Sequence, residues 1–147
     1  DEFGTASLAD VYGDKLDKAL HYAATNFSSL YLENKGGGQF EIRKLPRMAQ
    51  ISSITSINSG DYDGDGNLDV VFSGNLFSAE VETTRNDASI GGMLKGNGKG
   101  DFEWVPVTQS GYFTPGDVKD VEKGKLADGS TFFVIANNDD QLKVLKN

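Results

Sequence analysis

Leu32-Glu33-Asn34-Lys35-Gly36-Gly37-Gly38-Gln39-Phe40 and Leu94-Lys95-Gly96-Asn97-Gly98-Lys99-Gly100-Asp101-Phe102 are two copies of one x-G-x-G-x-F hairpin turn, separated by a constant offset of 62. A second landmark gives nearly the same period. Val70-Val71-Phe72-Ser73-Gly74-Asn75 lines up with Phe133-Val134-Ile135-Ala136-Asn137-Asn138 at an offset of 63. A period of about 62 residues holding four short strands is the signature of a propeller blade, slightly longer than the roughly 40 to 50 residues of common propeller repeats.

Short β-type runs punctuated by Gly, Asn and Asp fill the chain from residue 28 onward. They are Ser29 to Glu33, Phe40 to Leu45, Ser53 to Asn58, Leu68 to Ser73, Ile90 to Lys95, Phe102 to Val107, Val118 to Glu122, Thr131 to Ala136 and Leu142 to Leu145. The expected class is all-β: a partial propeller of about two blades, each a four-stranded antiparallel sheet, with a short N-terminal helix. A full blade is expected over 53–107, with two strands of a preceding blade before it and three of another after it. The organisation read from this is an N-terminal extension over 1–27 and propeller repeats over 28–147. In the extension, Leu16, Leu20, Ala23 and Phe27 recur at helical spacing behind Asp14 as N-cap, which predicts a helix over 15–24.

The 147 residues cover a little over two periods, fewer than the about four to eight blades that close a ring. The expectation is therefore the C-terminal portion of a larger propeller, a homo-oligomer formed through exposed blade edges, or a small open sheet assembly capped by the N-terminal helix.

Composition narrows the function classes. With 14 Lys+Arg against 22 Asp+Glu the formal net charge is −8, a surface that repels nucleic-acid phosphates and anionic lipid headgroups. Nucleic acid and membrane insertion are set aside as partners, and no stretch reads as a transmembrane or signal segment. Gly supplies 18 of the 147 residues, about 12% against roughly 7% in average proteins, and Pro only three, which signals many tight turns. The absence of Cys excludes disulfides, thiolate nucleophiles and Cys-ligated zinc, and the single His21 leaves no histidine pair for a metal.

One loop carries chemistry: Asp61-Tyr62-Asp63-Gly64-Asp65-Gly66-Asn67-Leu68-Asp69. Carboxylates at relative positions 1, 3, 5 and 9, Gly at 6 for the sharp turn, and the position-7 carbonyl of Asn67 are the spacing that wraps hard oxygen ligands around Ca²⁺. Without a cation these carboxylates repel one another by about 1 kcal/mol per close pair even at the dielectric of water. An EF-hand is excluded, because position 12 is Phe72 rather than Glu and both flanks are strand-like. In the second copy Asp61, Asp63, Asp65 and Asp69 fall on Gly124, Leu126, Asp128 and Phe132, so that loop is expected to be a plain hairpin and the chain to hold one calcium.

The combination of Asp61-x-Asp63-x-Asp65-Gly66-x-x-Asp69-Val70 with Asn34-x-Gly36-x-Gly38-x-Phe40 resembles the FG-GAP/VCBS repeat family, the calcium-loop blades also found in integrin α-chain propellers. The stretch from Asn86-Asp87-Ala88-Ser89-Ile90-Gly91 through Gly98-Lys99-Gly100-Asp101-Phe102 to Ser110-Gly111 and Gly116-Asp117 is similar to the C-terminal end of bacterial VCBS proteins of the ASPIC/UnbV type. The likeness runs from about residue 20 to the end, while the strict Phe-Gly…Gly-Ala-Pro pair is missing. It implies a propeller in which calcium stiffens one inter-strand loop, on secreted, periplasmic or cell-surface proteins that bind a protein or carbohydrate ligand. Calcium affinity points the same way, since a simple loop of this kind fits the weak extracellular range of about 10⁻⁴ to 10⁻³ M.

The expected function is thus a non-catalytic, calcium-binding extracytoplasmic module for adhesion, ligand binding or scaffolding. The alternative is a carbohydrate-active enzyme or its accessory propeller domain, for which Glu80, Glu82 and Asp87 are the candidate carboxylates. Phe102, Trp104, Tyr112 and Phe113 are read as core packing before a sugar platform, His21 as an ordinary surface residue, and Asp139-Asp140 as a solvated turn.

Overall fold

The computed structural model describes residues 2–146. Among the described residues nine strands form three antiparallel sheets. The first pairs β1 (Leu30–Gly36) with β2 (Gln39–Lys44), the second runs β3 (Ser56–Gly60), β4 (Asp69–Ser73), β5 (Gly92–Gly96) and β6 (Phe102–Val105) in sequence order, and the third runs β7 (Val118–Lys125), β8 (Thr131–Asn137) and β9 (Lys143–Lys146). Two, four and three strands is the grouping the repeat implies. The register carries the repeat too: Asn34 pairs with Phe40 and Leu32 with Ile42, while 62 residues on Gly96 pairs with Phe102 and Leu94 with Trp104.

Side-chain alternation explains the core. In β4 and β5, Val71 and Met93 share one face of the middle sheet and pack with Tyr112, Val118, Val121, Phe133 and Ile135 toward the third sheet. Phe72 and Leu94 point the other way and pack with Ala49, Leu45, Trp104 and Phe102, toward the segment that follows β2. Both faces of the middle sheet are therefore covered, which is why β4 reads as the unbroken apolar run Val70-Val71-Phe72.

The middle and third sheets are stitched by side chains. Thr55 Oγ1 donates to Val118 O at 2.6 Å and Asn58 Nδ2 to Val121 O at 2.7 Å, both across 63 residues, and the Ser56 hydroxyl accepts from Val121 N at 3.0 Å. Strands β3 and β7 thus lie side by side, running the same way, at equivalent positions of the repeat.

The N-terminal expectation is corrected. No helix spans 15–24; instead α1 (Glu2–Thr5) and α2 (Leu8–Tyr12) precede a 3₁₀ segment over Gly13–Lys18, and residues 19–27 are irregular. Ser7, not Asp14, is the N-cap, in a reciprocal capping box with Asp10. Gly13, at φ +52°, ends that helix. Leu20 and Phe27 are 81% and 89% exposed, so the apolar stripe finds no surface to pack on, and a helix of this length is not self-supporting. The first strand of the middle sheet is also displaced from the expected Ser53–Asn58, because Gly60 pairs with Asp69 and carries the strand to the mouth of the acidic loop.

Gly96 marks the closest backbone approach near that loop, since a Cβ there would lie 2.1 Å from the carbonyl oxygen of Leu68. Gly96→Ala is expected to lower the unfolding free energy by about 2 kcal/mol through forced backbone displacement, read as a reduced urea midpoint at unchanged m-value; an unchanged midpoint would mean that the two segments part freely.

Candidate metal centre

The acidic loop joins β3 to β4. Its curl is built from carboxylates that bind backbone N–H groups ahead of them. Asp61 accepts from Gly64 N at 2.7 Å and Gly66 N at 3.0 Å, Asp63 from Asp65 N at 3.1 Å, and Asp65 from Asn67 N at 2.8 Å. Gly64 and Gly66, at φ +81° and +86°, take the left-handed conformations that this path needs. The result brings one carboxylate oxygen from each of Asp61, Asp63 and Asp65 within 4.8 Å of one another, all on exposed residues.

A positive charge already sits against this cluster. Lys95 Nζ, from the end of β5, pairs with Asp65 Oδ2 at 2.9 Å and with Asp63 Oδ2. The hydrogen bonds to Asp63 and then Asp65 hold the ammonium pKa above its ordinary value. The Lys95 hydrogen bond, with that from Asn67, holds the Asp65 carboxyl below its own. The ammonium thus neutralises two of the three carboxylates, while Asp61 is held by the backbone N–H groups of Gly64 and Gly66. Three hard carboxylate oxygens on an exposed turn suit an oxygen-preferring divalent cation.

The other two sequence-predicted ligands are placed differently. Asp69 has no solvent exposure, and its carboxylate faces inward, accepting from Tyr62 N and Gly96 N, each at 3.0 Å. Asn67 is half-buried, with its side-chain amide against Gly98, where a Cβ would lie 2.5 Å from Asn67 Oδ1. Tyr62, beside the cluster, is pushed up to a pKa of about 12, first by burial and then by Tyr112 and Asp69.

Lys95 was not a sequence candidate. Val70 pairs with Leu94, so the antiparallel register carries Lys95 to the level of Asp69 at the loop's base, a neighbourhood visible only once the strand pairing is known. The remaining candidates do not converge on a site. Trp104 packs on Phe72 with ring centres 6.2 Å apart, and Phe102 on Tyr31 at 5.4 Å, while Tyr112 is buried and Phe113 exposed. His21 is exposed on the irregular segment, and Glu80, Glu82 and Asp87 are exposed on the long loop after β4, Asp87 paired with Arg85 at 2.8 Å. The second copy of the loop is a tight turn in which Leu126 N donates to Ser130 O at 2.9 Å.

With divalent cations removed, Lys95→Met is expected to lower the melting temperature modestly, because three carboxylates then face one another without a counter-charge. The loss should shrink at high salt, where exposed charges are screened; calorimetry at low and high sodium chloride reads both, and a melting temperature unaffected at low salt would show that the ammonium is not needed there. No protein-family model, curated protein or solved structure matches this chain.

Proposed function

We propose that this chain is a calcium-stabilised, non-catalytic repeat module built from β-propeller blades of the FG-GAP/VCBS type, serving adhesion, ligand binding or scaffolding outside the cytoplasm. The observation that carries the reading is the convergence of Asp61, Asp63 and Asp65 on the loop between β3 and β4. Those three carboxylates would hold the ion, with the Asn67 carbonyl next in the loop, while Asp69 holds the loop's base. Calcium suits several carboxylates in a flexible arrangement, whereas magnesium keeps more of its water. When bound, the ion supplies neutralisation and cross-linking of the turn.

The blade reading is supported by the 62-residue register shared by two hairpins and by a four-stranded sheet covered on both faces. The hydrogen bonds between β3 and β7 across 63 residues join equivalent strands of successive repeats, as blades arranged around an axis require. An extracytoplasmic location follows from affinity, because a simple exposed loop belongs to the class of sites with dissociation constants of about 10⁻⁴ to 10⁻³ M, which cytosolic calcium does not fill.

Thermal unfolding in calcium chloride and in excess EGTA tests the proposal. At a calcium concentration well above the dissociation constant, mass action should raise the melting temperature by about 5 °C. Asp65→Ala should abolish that rise, melting at the same temperature in calcium chloride and in EGTA, somewhat below wild type in EGTA because its bonds to Asn67 N and Lys95 are lost as well. A wild-type melting temperature indifferent to EGTA would remove calcium from the account. Lys95→Met should bind calcium several-fold more tightly in isothermal titration, since the ion no longer displaces a tethered ammonium.

A further inference from the structure

The three sheets are stacked, and the repeat makes the outer faces of the stack comparable with its interior. In the hairpin of β1 and β2, Tyr31 and Arg43 face the middle sheet: the Tyr31 ring lies 5.4 Å from that of Phe102, and Arg43 Nη1 donates to Lys99 O and Asp101 Oδ1 at 2.7 and 3.0 Å. Side chains alternate along a strand, so Leu32, Phe40 and Ile42 lie on the hairpin's other face, where they are 54%, 57% and 61% exposed. Their counterparts at the offset of 62 are Leu94, Phe102 and Trp104. Leu94 has no exposure, and Phe102 and Trp104 are half-buried with it among Leu45, Ala49 and Phe72. One apolar triad is thus covered in one copy of the repeat and bare in the other.

The third sheet carries the converse. Val134 pairs with Val144 as Val71 pairs with Met93. In the middle sheet that pair is 2% and 6% exposed, packed beneath the third sheet. In the third sheet Phe133, Ile135 and Leu145 take the inward face, so Val134 and Val144 point away from the stack and Val144 is 69% exposed. Phe132, on the same outer face, folds its ring over Gly124, where a Cβ would lie 2.4 Å from it.

These two outer faces are the two halves of a contact that the chain makes internally. Within the stack, the face carrying Val71 and Met93 packs on the face of the next sheet that carries Leu145, and the face carrying Tyr31 packs on the one that carries Leu94 and Phe102. Val134 and Val144 present the first kind of face, Leu32 and Ile42 the second. Charge does not oppose their meeting: among the described residues Lys44, beside Leu30 on the hairpin's outer face, and Glu122, beside Val134 on the third sheet's, are of opposite sign and neither forms an ion pair. The N-terminal segment of the same chain does not cover the hairpin, since Leu20, Tyr22 and Phe27 are exposed themselves.

We propose that copies of this chain associate head to tail, the outer face of one copy's third sheet stacking on the outer face of the next copy's hairpin. The contact is heterologous, so each copy offers a different face to each neighbour. It rests on the stacking of the sheets, not on calcium or on the propeller reading, and holds equally in EGTA and in calcium chloride.

Sedimentation velocity of the full chain in EGTA tests it, at an ionic strength of about 0.15 M where the net charge of −8 is screened. Between about 10 μM and 1 mM the weight-average mass should rise from the 15.8 kDa of one chain to that of a dimer or more. Ile42→Lys and Val144→Lys each put a charge on one face at an exposed position, and each should weaken self-association at least about tenfold. Leu32→Lys, on the hairpin's other strand, should do the same, and circular dichroism melts identify the variants that are folded. Mixed in equal amounts, Ile42→Lys and Val144→Lys should form a dimer and nothing larger, because each supplies the face that the other lacks. A wild type that keeps the mass of one chain at about 1 mM would overturn the proposal. Undiminished self-association of Val144→Lys, which would mean hairpin packed on hairpin, or a mixture in which both folded variants stay single, would overturn it as well.

Discussion

Asp69 has no solvent exposure, and its two carboxylate oxygens each take a backbone N–H, one from Tyr62 in the acidic loop and one from Gly96 at the end of β5. Burying a carboxylate is costly unless its oxygens are hydrogen-bonded, so both N–H groups are tied to where Asp69 stands. Asp69 is also the first residue of β4, and one side chain therefore sets the base of the loop, the start of a central strand and the end of its neighbour. Gly96 must be a glycine for the same reason: its N–H reaches the carboxylate only because nothing stands between its Cα and the Leu68 carbonyl.

That joint puts Lys95 in place. Being next to Gly96 at the end of β5, its ammonium falls against Asp63 and Asp65 on the loop that Asp69 anchors. A turn of closely spaced carboxylates would otherwise open by self-repulsion. Here the backbone N–H groups bonded to Asp61, Asp63 and Asp65 and one lysine oppose the repulsion, so the curl stands with a positive charge beside its oxygens.

The features legible in the sequence were those encoded by local spacing. Paired glycines ahead of Phe40 and Phe102 fixed two hairpins, alternating apolar runs located nine strands, and the 62-residue offset grouped them as two, four and three. The Asp61, Asp63 and Asp65 cluster was legible because its ligands lie within five residues on one turn. The helix over 15–24 failed because a stripe of apolar residues makes a helix only when another surface receives it, and Leu20 and Phe27 meet none. Spacing gave Asp69 its place in the loop, while the inward turn of its carboxylate depends on Gly96, 27 residues away.

Short strands join the two ends of the sheets. Because β3 and β7 run the same way, the loop that follows β3 and the turn that precedes β7 lie at opposite ends, and the bonds from Thr55, Ser56 and Asn58 to β7 occupy the span between them. A strand of five residues is about 17 Å long, so charge at the acidic loop acts weakly at Asp117 once screened by solvent and salt. Coupling by packing is another matter, because Val71, Met93 and Phe133 fill one core between the two sheets. Stiffening the acidic loop fixes the start of β4 through Asp69, and β4 carries that order to Ser73, whose hydroxyl bonds Tyr112 and Thr114 at 2.8 and 2.7 Å. Thr114 lies two residues before Gly116, in the turn that leads into β7. The routes by which one end acts on the other are therefore the packed core and this buried hydroxyl cluster, rather than the field of the charges.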